Sequence, residues 1–287
     1  MATAIALPIP RPIATHPLGR WQARFESLSP LAWLGLQAAA LWPHWRWAGA
    51  RLADGSDDPL GLAALAALLW WVLRHEPLLR GTPRPGWRYA SLVLTFSATL
   101  ALFHLPPLLA ALLAVLALAA GLRSVMPSGA PWLPLAGLAV LALPVVSSLQ
   151  FYAGYPLRVL TAEISTWVLR LAGLAAERSG TAMWVEGRLV IVDAPCSGVQ
   201  MVWMAYFCAC AVAAFSGLRD GALLRRLPMV GALVLAGNVL RNSVLVALEA
   251  QQARVPAWWH EAVGLAVLAA VCAAVMAVMR GGRDAQA

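Results

Sequence analysis

Residues 228–249 read PMVGALVLAGNVLRNSVLVALE. A membrane helix needs about 20 mostly apolar residues, at 1.5 Å of rise each. This stretch meets that length, and Asn238, Arg241 and Asn242 form a polar patch inside it. Working outward, the stretches 32–50, 59–75, 89–105, 107–122, 132–150, 197–216 and 259–279 meet the same test. The expected fold is therefore all-α, a polytopic membrane helix bundle of about eight transmembrane helices. Composition agrees: 61% of the 287 residues are hydrophobic and 12% charged, about half the roughly 25% of soluble domains. These values exclude a disordered chain and argue against an ordinary soluble globule. Residues 1–30 hold five prolines and no basic-then-apolar signal pattern, so they are expected to be a cytoplasmic tail. Residues 31–287 are expected to be a single integral-membrane domain.

The net charge of +8 comes from 21 arginines, no lysine and 13 acids. Such basicity suits nucleic-acid binding when it is clustered. Here the arginines lie between apolar stretches, so they act as an orientation signal and no nucleic-acid partner is expected. Arg11, Arg20 and Arg24 precede the first span; Arg74, Arg80, Arg84 and Arg88 follow the second. Arg123, then Arg219, Arg225 and Arg226, then Arg280 and Arg283 continue the alternation. The intervening loops are acidic or neutral, as at Asp54, Asp57 and Asp58. Both termini are thus expected in the cytoplasm.

The longest connection, 151–196, falls on the outer side of this topology. Leu157, Leu160, Ile164, Trp167, Leu171 and Leu174 recur at helical spacing, with Arg158, Glu163, Thr166 and Arg170 largely between them. This predicts an amphipathic helix over 157–176 in the outer interface. Residues 183–193 read as two short extended pieces around Glu186-Gly187.

Three residues are out of place in a passive bundle. Cys196 stands at the start of the sixth span, where unpaired helix N–H groups favour a thiolate. Cys208, Cys210 and Cys272 are all deeper, so Cys196 is a lone thiol. Arg241 lies inside the seventh span, where a guanidinium costs a few kcal/mol and marks function or a buried partner such as Glu249. His260 opens the eighth span behind Trp258-Trp259, and an imidazole suits proton transfer near neutral pH. The topology brings all three to one outer level. A thiol, an imidazole and a guanidinium are the parts of a cysteine acyl-transfer site. Ser197, Gln200, Asn238 and Asn242 are supporting or substrate-binding candidates, with Asn238 placed to hold Arg241. No CxxC pair exists and the five histidines have no ligand-like spacing, so neither metal nor cofactor is expected.

These residues carry a resemblance. Pro195-Cys196-Ser197-Gly198, then Gly237-Asn238-Val239-Leu240-Arg241, then His260 preceding Gly264, resemble the Cys, Arg and His motifs of the exosortase/archaeosortase family. The resemblance is sharpest over 150–280, the expected catalytic part. It implies a bacterial inner-membrane cysteine transpeptidase with its site facing the periplasm. It implies as partners exported proteins with a C-terminal sorting signal: a short motif such as Pro-Glu-Pro, an apolar helix and a basic tail. Cys196 would be the nucleophile, Arg241 the essential arginine and His260 the proton carrier, and the acyl group would pass to an unknown acceptor at the outer face. Pro195 and Val199-Gln200 depart from the common pattern and point to a divergent subtype.

The physical setting is compatible with such a substrate, because a membrane-anchored signal holds its scissile bond at the level of the thiol. Two other functions fit the residues. One is a transporter or assembly scaffold, with Arg241 and Asn238 lining a path or a helix contact. The other is a membrane acyltransferase using the same thiol on lipid.

Overall fold

The computed structural model describes residues 28–191, 197–251 and 256–281. The tail expected over 1–30 lies almost wholly outside the described residues, as does Cys196. Among the described residues the chain forms α1 (Pro30–Ala40), α2 (Trp42–Ala53), α3 (Gly61–Arg74), α4 (Pro85–His104) and α5 (Pro107–Val125). It continues with α6 (Leu133–Leu141), α7 (Val146–Leu171), strands β1 (Ala176–Ser179), β2 (Ala182–Val185) and β3 (Arg188–Ile191), then α8 (Val199–Ser216), α9 (Asp220–Gln251) and α10 (Ala257–Arg280).

Four of these helices, α5, α8, α9 and α10, are long and apolar enough to cross a membrane. The bent pair α6–α7 makes a fifth if it is counted as one span. The other expected spans take different forms. Residues 32–50 form two helices that meet at Leu41, joined across the break by Trp45 Nε1 donating to Ala38 O at 2.7 Å. Residues 59–75 form the 14-residue α3. Residues 89–105 fall in α4, whose 20 residues include Arg88, Ser91, Thr95 and His104. The α4–α5 hairpin turns at Leu105-Pro106, where the Pro-Pro pair predicts it, and Pro107 opens α5 as a preset first-turn residue.

Two expectations are corrected. Residues 132–150 are not one helix: α6 ends at Leu141, and the chain bends by 95° before α7. Pro144 supplies no N–H and disfavours a helical Leu143, so the ladder stops there. The corner is tolerated because Leu143, Val145 and Val146 are buried in protein. Asp57 caps the new helix, its two carboxylate oxygens accepting from Ser147 N at 3.3 and 3.4 Å. Secondly, the amphipathic helix spans Val146–Leu171 rather than 157–176. It buries Gly154, Thr161, Ala162, Ser165 and Leu169 and exposes Phe151, Tyr152, Tyr155, Trp167 and Leu171. That aromatic, apolar outer face is the amphipathic pattern of an interfacial helix.

The two extended pieces around Glu186-Gly187 are present as β2 and β3, joined by that two-residue turn with φ of +50° and +75°. Positive φ at both positions is the type I′ geometry that matches strand twist. They are joined by β1, so the all-α bundle carries a three-stranded antiparallel sheet in the order β1-β2-β3. Met183 and Val185 are fully buried and pack with Ala162 and Leu169 of α7 and Val246 of α9. The sheet thereby rides on α7 and α9.

Candidate active site

The site is assembled on a helix pair. Asn238 and Asn242 stand one turn apart on α9, and Thr161 and Ser165 stand one turn apart on α7. Asn238 Nδ2 donates to Thr161 Oγ1 at 2.9 Å, and Asn242 Nδ2 donates to Ser165 Oγ at 3.0 Å. All four residues are at most 4% exposed. Equal i, i+4 spacing on both helices locks their register. An unmade bond at such depth costs about 1–3 kcal/mol, which makes the ladder specific.

The turn before α8 is built against that ladder. Gly198 has φ +82°, a left-handed conformation that suits glycine. A Cβ on it would stand 2.7 Å from Asn238 Cγ. Ser197 is fixed from the other side: its Oγ donates to Gln150 Oε1 of α7 at 2.8 Å and accepts from Val199 N at 3.3 Å. The Ser197-Gly198 turn is thus clamped between α7 and α9. Cys196, immediately before it, lies outside the described residues.

A pocket of about 460 Å³ opens beside this turn. Gly198 lines it from the turn before α8, Gln200 from α8, Arg241 from α9, His260, Glu261 and Gly264 from α10, and Asp58 from the α2–α3 loop. Arg241 lies against α10 because residue 264 has no side chain: a Cβ there would meet Nε, Nη2 and Cζ of the guanidinium at 3.3–3.5 Å. Gln200 Nε2 donates to Asp58 Oδ2 at 2.9 Å, which ties the α2–α3 loop to the first turn of α8. His260 Nε2 is 3.2 Å from Glu249 Oε1. Glu249 in turn receives Arg188 of β3, whose Nη1 donates to the Glu249 carbonyl at 3.1 Å.

Of the sequence-predicted residues, Arg241, His260 and Gln200 therefore share one pocket, with Gly198 of the Cys motif in its wall. Asn238 and Asn242 do not line it; they join α9 to α7. Sequence reasoning missed Asp58, Gln150, Thr161 and Ser165 as parts of the assembly; Glu249, named there only as an alternative partner of Arg241, is in contact with His260. The signal for Thr161 and Ser165 was present, as a polar i, i+4 pair matching Asn238 and Asn242. The other two contacts join residues 47 and 142 apart in sequence, beyond any local pattern. Cys208, Cys210 and Cys272 are free.

Chemically, the pocket offers a fixed cation, an imidazole with a carboxylate neighbour, and two further acids in one cleft. A fixed guanidinium stabilises negative charge developing on a substrate oxygen. An imidazole held by a carboxylate is the usual arrangement of a general base. The model of the family described as transmembrane exosortase matches residues 21–277, a range that takes in every candidate site residue. Comparison with curated proteins and with solved structures gave no match.

Proposed function

Because the chain belongs to the transmembrane exosortase family, we propose that it is a membrane-embedded cysteine peptidase and transpeptidase. Its substrates are exported proteins with a C-terminal sorting signal of the Pro-Glu-Pro type. The observation that carries this reading is the pocket holding Arg241 and His260 beside the Ser197-Gly198 turn. In this proposal both termini are cytoplasmic, the chain crosses the bacterial inner membrane eight times, and the pocket opens to the periplasm.

In the proposed reaction His260 takes the proton from the Cys196 thiol. The thiolate attacks the scissile carbonyl carbon, and the oxyanion forms against Arg241. When the tetrahedral intermediate collapses, the C–N bond breaks and His260 returns its proton to the leaving amine. The acyl group stays on Cys196 as a thioester until an acceptor nucleophile at the outer face attacks it. Glu249 holds the imidazole in place through the 3.2 Å contact. Gln200 and Asp58 line the opposite wall and position substrate.

Co-expression with a sorting-signal protein tests the proposal. Arg241→Gln and His260→Ala should each reduce processing by about 10²-fold or more while the enzyme still inserts. Normal processing in either variant would remove that residue from the mechanism.

A further inference from the structure

A second cluster lies at the other end of the molecule. The candidate pocket sits at the first turn of α8, whereas a separate hollow of about 300 Å³ adjoins its last turn, at Ala214–Gly217. The 18 residues of α8 separate the two by roughly 27 Å at 1.5 Å per residue.

Three arginines converge beside this hollow. The segment after α3 is strapped along the end of α5, with Arg80 N donating to Val125 O at 2.7 Å and Arg84 N donating to Ser124 O at 2.9 Å. This brings both side chains to Arg123, the neighbour of Ser124 on α5. Arg80 Nη2 donates to Ser128 Oγ at 3.3 Å, and Arg123 Nη1 donates to Ala130 O at 3.2 Å. Two further donors, Arg84 Nη2 and Arg123 Nε, are buried and meet no acceptor. None of the three is in an ion pair among the described residues. Desolvation first, then the charges of Arg80 and Arg123, lower the Arg84 pKa.

Arginines that serve only to orient a membrane protein extend into water, where their donors are satisfied. Here like charges are held together, and two of their N–H donors, Arg84 Nη2 and Arg123 Nε, are buried without an acceptor from the chain. A phosphate group provides the missing charge and several acceptor oxygens, and guanidinium planes match it bidentately. The hollow beside the cluster is mostly apolar, lined by Trp71, Leu78, Leu79 and Phe215 with His75 and Ser216 as its polar members. A phosphate attached to an apolar body suits both halves of the site. Basic pockets between helices at a membrane surface bind anionic lipid headgroups in this way.

We propose that Arg80, Arg84 and Arg123 form a phosphate-binding site for the headgroup of an anionic phospholipid, whose apolar part rests in the adjoining hollow. The site is independent of the peptidase reaction and stands or falls separately from it.

The test uses the full-length protein in nanodiscs of phosphatidylcholine, with or without phosphatidylglycerol. Phosphatidylglycerol should raise the melting temperature of the wild type by about 5 °C. Arg84→Gln/Arg123→Gln should lose most of that rise, while Arg225→Gln/Arg280→Gln, which removes the same charge elsewhere, should keep it. An equal rise in both double variants, or no rise in the wild type, overturns the proposal. Inorganic phosphate added to phosphatidylcholine discs separates the sources. A full rise with free phosphate alone identifies a soluble anion and overturns the lipid assignment. Native mass spectrometry of the wild type needs no variant: retained phosphatidylglycerol in preference to phosphatidylcholine supports the site, and equal retention counts against it.

Discussion

Gly198 shows how one residue couples the motif to the bundle. Its φ of +82° and its 2.7 Å virtual contact with Asn238 leave no room for a side chain. Gly198→Ala should destabilise the protein by roughly 1–3 kcal/mol, measured as loss of melting temperature in detergent, and should reduce processing more than expression. Glu249 belongs to the same scale. Its contact with His260 spans two helices, so Glu249→Gln should lower the turnover number roughly tenfold with little change in KM. An unchanged turnover number would leave the carboxylate with no part in positioning the imidazole. The proposed trio stands out in the sequence because each member breaks a local rule: a lone thiol at a helix start, a cation in an apolar run, a histidine at a span end; the structure brings Arg241 and His260 to one pocket, and Cys196 lies outside the described residues. The supporting contacts were not legible there, because Gln150, Asp58 and Glu249 reach Ser197, Gln200 and His260 through tertiary packing.

At the scale of elements, the α7–α9 ladder holds the site together. The pairs Asn238–Thr161 and Asn242–Ser165 are buried and in register. A double-mutant cycle on Thr161→Val and Asn238→Leu should show a coupling of about 0.5–1.5 kcal/mol, read from unfolding in detergent. Additive effects would mean that the bond contributes no specificity to the helix pair. Local signals gave several elements directly: the Pro106-Pro107 hairpin and the Glu186-Gly187 turn each rest on the backbone preferences of two adjacent residues. The α6–α7 corner was hidden because residues 132–150 are apolar on both sides of Pro144, and hydropathy does not register a bend. Strand β1, with the sequence AERS, has no alternating pattern. It forms by antiparallel pairing with β2, and its start is held by Arg170 Nε donating to Ala176 O and Glu186 Oε1 accepting from Ala175 N.

At the scale of the whole molecule, the two ends of α8 have different chemistry. One end meets a pocket with Asp58, Arg241, His260 and Glu261; the other meets a mostly apolar hollow beside three arginines. The proposed topology puts the first in the periplasm and the second in the cytoplasm. Cysteine-accessibility labelling on a background without the native cysteines tests this. Residues introduced at Gly55 and Gly180 should react with a membrane-impermeant reagent from outside, and one at Gly81 should not. Labelling of the Gly81 position from outside would reverse the orientation.

The central claim is that a thioester at Cys196 carries the reaction, and the most direct measurement is an acyl-enzyme trap. A sorting-signal substrate is expressed with the enzyme, and the adduct is sought by mass spectrometry under acidic, non-reducing conditions. The wild type should yield a peptide acylated on Cys196 that hydroxylamine releases, and Cys196→Ala should yield neither the adduct nor cleaved substrate. Cleavage that persists in Cys196→Ala would contradict the mechanism.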